Sequence, residues 1–218
     1  IGGKTGIDLG VLKNQIGIFY DPKMVIIDPL YLETLSNKEL LSGYAEILKH
    51  SIISKTNTFN SLTSNRLNFK NIDIIKNSIE IKNNIVLIDK KERKERKFLN
   101  YGHTLGHAIE SYFLNSKQRL LHGEAISIGI VLASFISMKK VGLSNDYLDK
   151  IKSHISKVYK KISFSEIDIE EIIKLLIHDK KNSHGKINFV LIKEIGKPIL
   201  DVEVENSLIK SAFNYYSN

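Results

Sequence analysis

The sequence contains no cysteine. That removes disulfides and thiolate metal sites together, so any metal ion must be held by imidazole and carboxylate groups. It has only three prolines, and no composition shift around them reads as an interdomain linker. No apolar run approaches the roughly 20 residues that a bilayer-spanning helix needs. The N-terminus also lacks a basic segment followed by a hydrophobic stretch of the secretory kind. The expectations are a cytoplasmic location and no membrane partner. No internal repeat is visible, and the richness in Asn, Lys and Ile is spread along the whole chain.

What is present is enough for one substantial core: 218 residues, 42% of them hydrophobic and 26% charged. A net charge of +8 raises the question of nucleic acid. The lysines, however, are dispersed from Lys4 to Lys210 with no nucleic-acid motif among them. No nucleic-acid partner is expected, and a small anionic substrate is the better use for a few of these charges. The chain opens on Ile1 at a Gly-Gly-Lys-Thr-Gly loop, which reads as a fragment or a processed piece.

Residues 1–23 read as loop, with turn points at Gly2, Gly3, Gly6 and Gly17. Met24-Val25-Ile26-Ile27-Asp28 is a strand candidate ending at Pro29, an edge strand of a sheet that lies elsewhere. Ser36 with Glu39 three positions on predicts a helix cap and a helix to about Ser54, with Leu40, Tyr44, Ile47, Leu48 and Ile52 at helical spacing. Further helices are predicted over 72–96, 101–114 and 120–141, with weaker ones over 145–160 and 166–180. Ile187 to Ile192 is strand-like, and Gly196-Lys197-Pro198 reads as a turn. The fold class is therefore mainly α with a small β element.

The sharpest chemical feature is Asn100-Tyr101-Gly102-His103-Thr104-Leu105-Gly106-His107, because two histidines four apart on a helix project from one face. One could bind a metal while the other relays a proton, both could be ligands, or both could be ordinary satisfied histidines. His122 opens the next helix in Leu121-His122-Gly123-Glu124-Ala125, where antiparallel packing could return it to the first pair. Glu46 is a carboxylate on a half-buried helix, a place where a charge rarely stands without a partner. Two His and one Glu make an open zinc site, and the same donors suit Co²⁺ or Mn²⁺. Lys4, Lys13, Asn14, Lys49, Lys82, Arg96 and Lys180 could collect a phosphate and a carboxylate, although each is singly indistinguishable from a solvated surface group.

Taken together, Ile1 to Gly6, Lys13-Asn14-Gln15-Ile16-Gly17, Gly43-Tyr44-Ala45-Glu46-Ile47-Leu48-Lys49, Leu99 to Glu110 and Leu121 to Ala125 resemble the 3-dehydroquinate synthase family in order and spacing. An Asp179-Lys180-Lys181 match follows. The resemblance implies metal ligands Glu46, His103 and His122, with Glu92 and His107 in proton transfer. It also implies that Lys4, Asn14, Lys49, Lys82, Arg96, Asn100 and one of Lys180 and Lys181 grip the substrate. Lys13 and Tyr31, Leu32, Glu33 and Thr34 match positions that touch NAD. The implied cofactors are NAD and Zn²⁺ or Co²⁺, the substrate is a sugar-acid phosphate, and a homodimer is the expected assembly.

The implied reaction oxidises a ring hydroxyl transiently, eliminates phosphate, re-reduces, opens the ring and closes it by an internal aldol step, returning NAD unchanged. On this resemblance residues 1–35 border a nucleotide-binding α/β domain, and 36–218 form the helical metal- and substrate-binding domain. That nucleotide-binding domain, with its glycine-rich loop, is not in the sequence, so this chain alone should bind NAD poorly. Lys94-Glu95-Arg96 stands where the family has Gly-Leu-Arg, and two extra residues fall near Asn115-Ser116-Lys117, in a loop. Three other readings share parts of the pattern: another sugar phosphate cyclase such as a 2-deoxy-scyllo-inosose synthase, a polyol dehydrogenase that consumes NAD, and a non-catalytic dimerising domain.

Overall fold

The computed structural model describes residues 1–9, 12–64, 68–177 and 187–218, with backbone alone for the described residues of 8–15 and for residue 177. Two short strands, β1 (Ile7–Leu9) and β2 (Leu12–Ile16), pair antiparallel, and the ladder is extended by Thr5 N–H donating to Ile18 O at 3.0 Å. Among the described residues eight α-helices follow in chain order: α1 (Asn37–Ile53), α2 (Thr58–Ser64), α3 (Ile72–Ile88), α4 (His103–Phe113), α5 (His122–Val141), α6 (Asn145–Val158), α7 (Glu166–Ile177) and, after a hairpin, α8 (Asn206–Ser217). The hairpin is β3 (Asn188–Glu194) with β4 (Lys197–Glu203), antiparallel. Mainly α with a small β element is therefore the observed class. Among the described residues no helix is long and apolar enough to cross a membrane.

The organising element is α5. Fourteen of its residues between Gly123 and Ser137 are buried, so its apolar character runs all round the helix and requires neighbours on every side. It finds them in α1, α4, α6, α8 and β3. Its buried hydroxyls are satisfied locally: Ser134 donates to Ile130 O at 2.7 Å, and Ser137 donates to Ala133 O at 2.7 Å while accepting from Ile192 N–H at 3.0 Å. The bond from Ile192 N–H ties β3 to the central helix.

The helix from Ser36 behaves as its cap predicts, with Ser36 Oγ accepting from Glu39 N–H at 3.3 Å. The helix predicted over 72–96 stops at Ile88 instead. Asp89 explains the stop: its carboxylate accepts from the N–H groups of Arg93, Lys94 and Arg96 at 3.0, 2.7 and 3.2 Å, folding the chain back into a 3-10 turn over Glu95–Asn100. Met24 to Asp28 forms no strand. It is irregular chain with exposed apolar side chains, lacking a ladder partner among the described residues. The turn expected at Gly196 is present, but it leads into β4, and α2 and α8 are additional helices. Asn115-Ser116-Lys117 lies in the turn between α4 and α5.

Candidate metal and substrate site

Three helices converge because glycine lets them. A Cβ on Gly123 would stand 2.1 Å from Ser42 O, so α5 can begin against α1 only without a side chain at 123. A Cβ on Gly129 would stand 2.1 Å from Gly102 O, and the same argument brings the start of α4 against α5. Gly102 itself has φ 76, a left-handed conformation natural to glycine, and it sets the direction in which α4 leaves. These approaches carry Glu46 of α1, His103 of α4 and His122 of α5 to one point.

At that point Glu46 Oε1 lies 3.2 Å from His103 Nε2 and 3.8 Å from His122 Nε2. Both imidazoles are fixed from behind. His103 Nδ1 sits 3.2 Å from Tyr101 O, and His122 Nδ1 sits 3.0 Å from Glu110 Oε2. A carbonyl can only accept, so His103 carries its proton on Nδ1 and turns an Nε2 lone pair to the centre. His107 closes the group: one ligand atom each from His103, His107 and His122 lie within 4.8 Å of one another. Glu46 Oε1 is buried and makes no hydrogen bond. A buried carboxylate oxygen without a partner is costly unless something cationic completes it. The donor set therefore fits a divalent cation of the Zn²⁺ or Co²⁺ kind, held by oxygen and imidazole nitrogen with a position left open.

The other oxygen of Glu46 is engaged by Lys49 Nζ at 2.6 Å, on a lysine side chain only 3% exposed. Burial alone would raise the Glu46 carboxyl, but Lys49 and the two histidines outweigh it and hold the group well below its usual range. The carboxylate is thus charged and ready to ligate. Burial pushes His103 down to about 4, keeping it neutral. His122 goes the other way, up to about 9, chiefly through Glu110 and then Glu46. A metal arriving there must displace a proton. His50, one helical turn beyond Glu46, is buried with Nδ1 2.7 Å from Ser78 Oγ, and burial pushes it down to about 3. Its Nε2 lies 3.8 Å from Glu46 Oε2 and has no hydrogen-bond partner.

A second cluster forms around Glu92. Lys4 Nζ donates to Glu92 Oε2, and Asn100 Nδ2 donates to Glu92 Oε1 at 2.8 Å, so three residues expected in the site meet there. Lys82 is half-buried, and its charge acts on Lys49 and His50. Arg96 is 3% exposed and its guanidinium is committed to backbone: one nitrogen donates to Lys90 O and another to Gly2 O, both at 2.6 Å. It fixes the loop that carries Lys4. Tyr31, Leu32, Glu33 and Thr34 lie in a 3-10 turn over Pro29–Thr34, with Tyr31 77% exposed. Lys13 and Asn14 fall in β2, their side chains outside what is described, and Lys180 and Lys181 lie outside the described residues. Sequence reasoning missed Glu110, His50 and Ser78. Glu110 carried a signal, since it stands seven after His103 and three after His107 on the same helical face.

Comparison with known proteins decides the family. Residues 43–182 match the family model described as 3-dehydroquinate synthase C-terminal, and residues 1–42 match 3-dehydroquinate synthase N-terminal. The chain belongs to the 3-dehydroquinate synthase family. It is 37% identical over 220 residues to the 3-dehydroquinate synthase of Parabacteroides distasonis, covering 99% of this chain and 62% of that protein. The enzyme of Thermoanaerobacter pseudethanolicus is 38% identical, covering 96% of this chain and 60% of that one. The chain thus spans about 60% of the length of these curated relatives. Among solved structures, a 2-deoxy-scyllo-inosose synthase complexed with carbaglucose-6-phosphate, NAD⁺ and Co²⁺ superposes with TM-score 0.81 at 26% identity, covering 98% of this chain and 61% of that one. A 2-epi-5-epi-valiolone synthase from Streptomyces hygroscopicus, with NAD⁺ and Zn²⁺ bound, shares the fold with TM-score 0.84 at 21% identity, covering 100% of this chain and 62% of that one.

Proposed function

We propose that this chain supplies the metal site and much of the substrate grip of a 3-dehydroquinate synthase, which converts 3-deoxy-D-arabino-heptulosonate 7-phosphate to 3-dehydroquinate and phosphate in aromatic amino-acid biosynthesis. The observation that carries the reading is the unpartnered buried Glu46 Oε1 facing His103 Nε2 and His122 Nε2, in a chain 37% identical to such enzymes. Glu46, His103 and His122 would hold the divalent cation. When bound, the cation would polarise a substrate hydroxyl and NAD would accept and return its hydride.

The remaining work falls to the protein's own groups. Lys4, Lys49 and Lys82 supply positive charge for the two anionic ends of the substrate and hold them in one geometry. His107, whose ring lies against those of His103 and His122, carries a proton in this reading. Glu92 holds Lys4 and Asn100 in register and stands as a second proton carrier. Arg96 keeps the Gly2 loop in place. Lys13 and Tyr31 to Thr34 are the NAD-side contacts in this reading, and Asn14, Asn100 and one of Lys180 and Lys181 are further substrate contacts. A cytoplasmic homodimer without membrane or nucleic-acid partners goes with it.

The test is phosphate release from the heptulosonate phosphate by a polypeptide in which the N-terminal part of the Parabacteroides distasonis relative precedes residue 1. Release that requires both NAD⁺ and Zn²⁺ or Co²⁺, without net NADH, is the expected result. No release with metal and NAD⁺ both bound would sink the assignment. Turnover of a carboxylate-free sugar phosphate instead would move it to the 2-deoxy-scyllo-inosose synthase side of the fold.

A further inference from the structure

A neutral imidazole can ligate through only one nitrogen at a time, so a histidine ligand needs its tautomer fixed as well as its position. On His103 a backbone carbonyl does this. On His122, which belongs to a different helix, the corresponding partner is a carboxylate: Glu110 Oε2, 3.0 Å from Nδ1. Glu110 is only 8% exposed, a degree of burial that a carboxylate rarely tolerates without a specific partner. It shares the α4 face of His103 and His107, reaching across to α5.

We propose that Glu110 is a positioning residue for metal binding, holding the His122 proton on Nδ1 so that Nε2 is the nitrogen that gives up its proton to an arriving metal and ligates it beside Glu46 Oε1. The inference rests on the metal reading above. A merely structural role, a strut between α4 and α5, would affect the fold and leave the affinity of the folded protein for metal alone. A positioning role affects metal binding at equal fold stability, and it is rescued by a side chain that can still accept from Nδ1–H. Glutamine has such an oxygen and alanine does not.

The experiment is a Co²⁺ titration of the 218-residue chain, read by visible absorption, for wild type, Glu110→Gln and Glu110→Ala. Metal-free unfolding midpoints are measured in parallel, and ¹⁵N spectra of the histidine rings are recorded in the Zn²⁺-loaded state. Expected are a loss of affinity of roughly 10- to 100-fold in Glu110→Ala and recovery of most of it in Glu110→Gln. His122 should carry its proton on Nδ1 in the wild type. Unchanged Co²⁺ affinity in a folded Glu110→Ala would overturn the inference alone. If that variant does not fold, the wild-type spectrum decides, and a proton on His122 Nε2 overturns it. A wild type that takes up no Co²⁺ would overturn the metal reading and this inference with it.

Discussion

Glu92 has φ 57, in the left-handed region that side chains other than glycine, Asn and Asp seldom occupy. It is held there by Lys4 and Asn100, and a conformation of this kind at a site is a reason to look for function. Glu92→Gly and Glu92→Ala both delete the carboxylate, but only glycine is at ease at positive φ. The glycine variant should therefore be the more stable by about 1 kcal/mol in urea unfolding, and phosphate release by the extended polypeptide should be lost in both. Equal stabilities would mean that the backbone at 92 relaxes once the side chain is gone. Arg96 makes a different case. Lysine cannot reproduce two guanidinium bonds to Gly2 O and Lys90 O from one buried stem. Arg96→Lys should cost about 1–3 kcal/mol and speed hydrogen exchange around residues 2–5. Unchanged exchange there would remove Arg96 from its role as anchor of that loop. Glu46, His103, His107 and His122 could be picked out of the sequence because helical spacing and short motifs mark such residues locally. The Ser78–His50 pair could not, since its members lie 28 positions apart on two helices and nothing local joins them.

At the scale of elements, the site depends on how closely α1, α4 and α5 approach. Gly123→Ala would press a methyl onto Ser42 backbone in a contact that no rotamer change relieves. Overpacking of this sort costs about 1–3 kcal/mol, and the relaxation would move His122 away from Glu46. The expected result is a lower metal-free unfolding midpoint together with weaker Co²⁺ uptake. A variant that lost stability while keeping wild-type affinity would show that α1 and α5 can separate without opening the site. Gly142→Ala serves as the comparison, because a Cβ there meets nothing within 4 Å, although its φ of 83 leaves backbone strain. Helices α1 and α3 were legible because their apolar periodicity is sustained, and Ser36 supplied a cap, whereas α5 showed as one long apolar run. Their ends were less so. The stop of α3 comes from the Asp89 carboxylate gathering three N–H groups, an effect of side-chain geometry that periodicity does not encode. Met24 to Ile27 shows the converse: its residues favour a strand, but a strand needs a neighbour to pair with, and none stands beside it among the described residues.

Over the whole molecule, the exposed apolar groups lie mostly in the first 35 residues, among them Ile18, Phe19, Tyr20, Met24, Ile26 and Tyr31, while the buried histidines lie in the helical body. This second feature gives the fold a direction of pH sensitivity. His154 is 6% exposed, its Nε2 is 2.8 Å from the Tyr44 hydroxyl, and burial, aided by Lys157, holds its pKa below 6.5. His50 and His103 shift the same way, to about 3 and about 4. Below pH 6.5 the unfolded chain takes up protons that these folded histidines refuse. Their contribution to stability is therefore complete above 6.5 and is lost as pH falls through the depressed folded values. His122 acts oppositely: with its folded pKa near 9, its contribution is complete below 6.5 and is lost as pH rises through 9. For His154 the test is His154→Gln, an amide that still pairs with Tyr44 but does not titrate. Urea unfolding of the metal-free chain from pH 7.5 to 5 should show the wild type losing stability more steeply than the variant, by at most about 1.4 kcal/mol per pH unit. Parallel curves would mean that His154 takes up its proton inside the folded protein as readily as outside it.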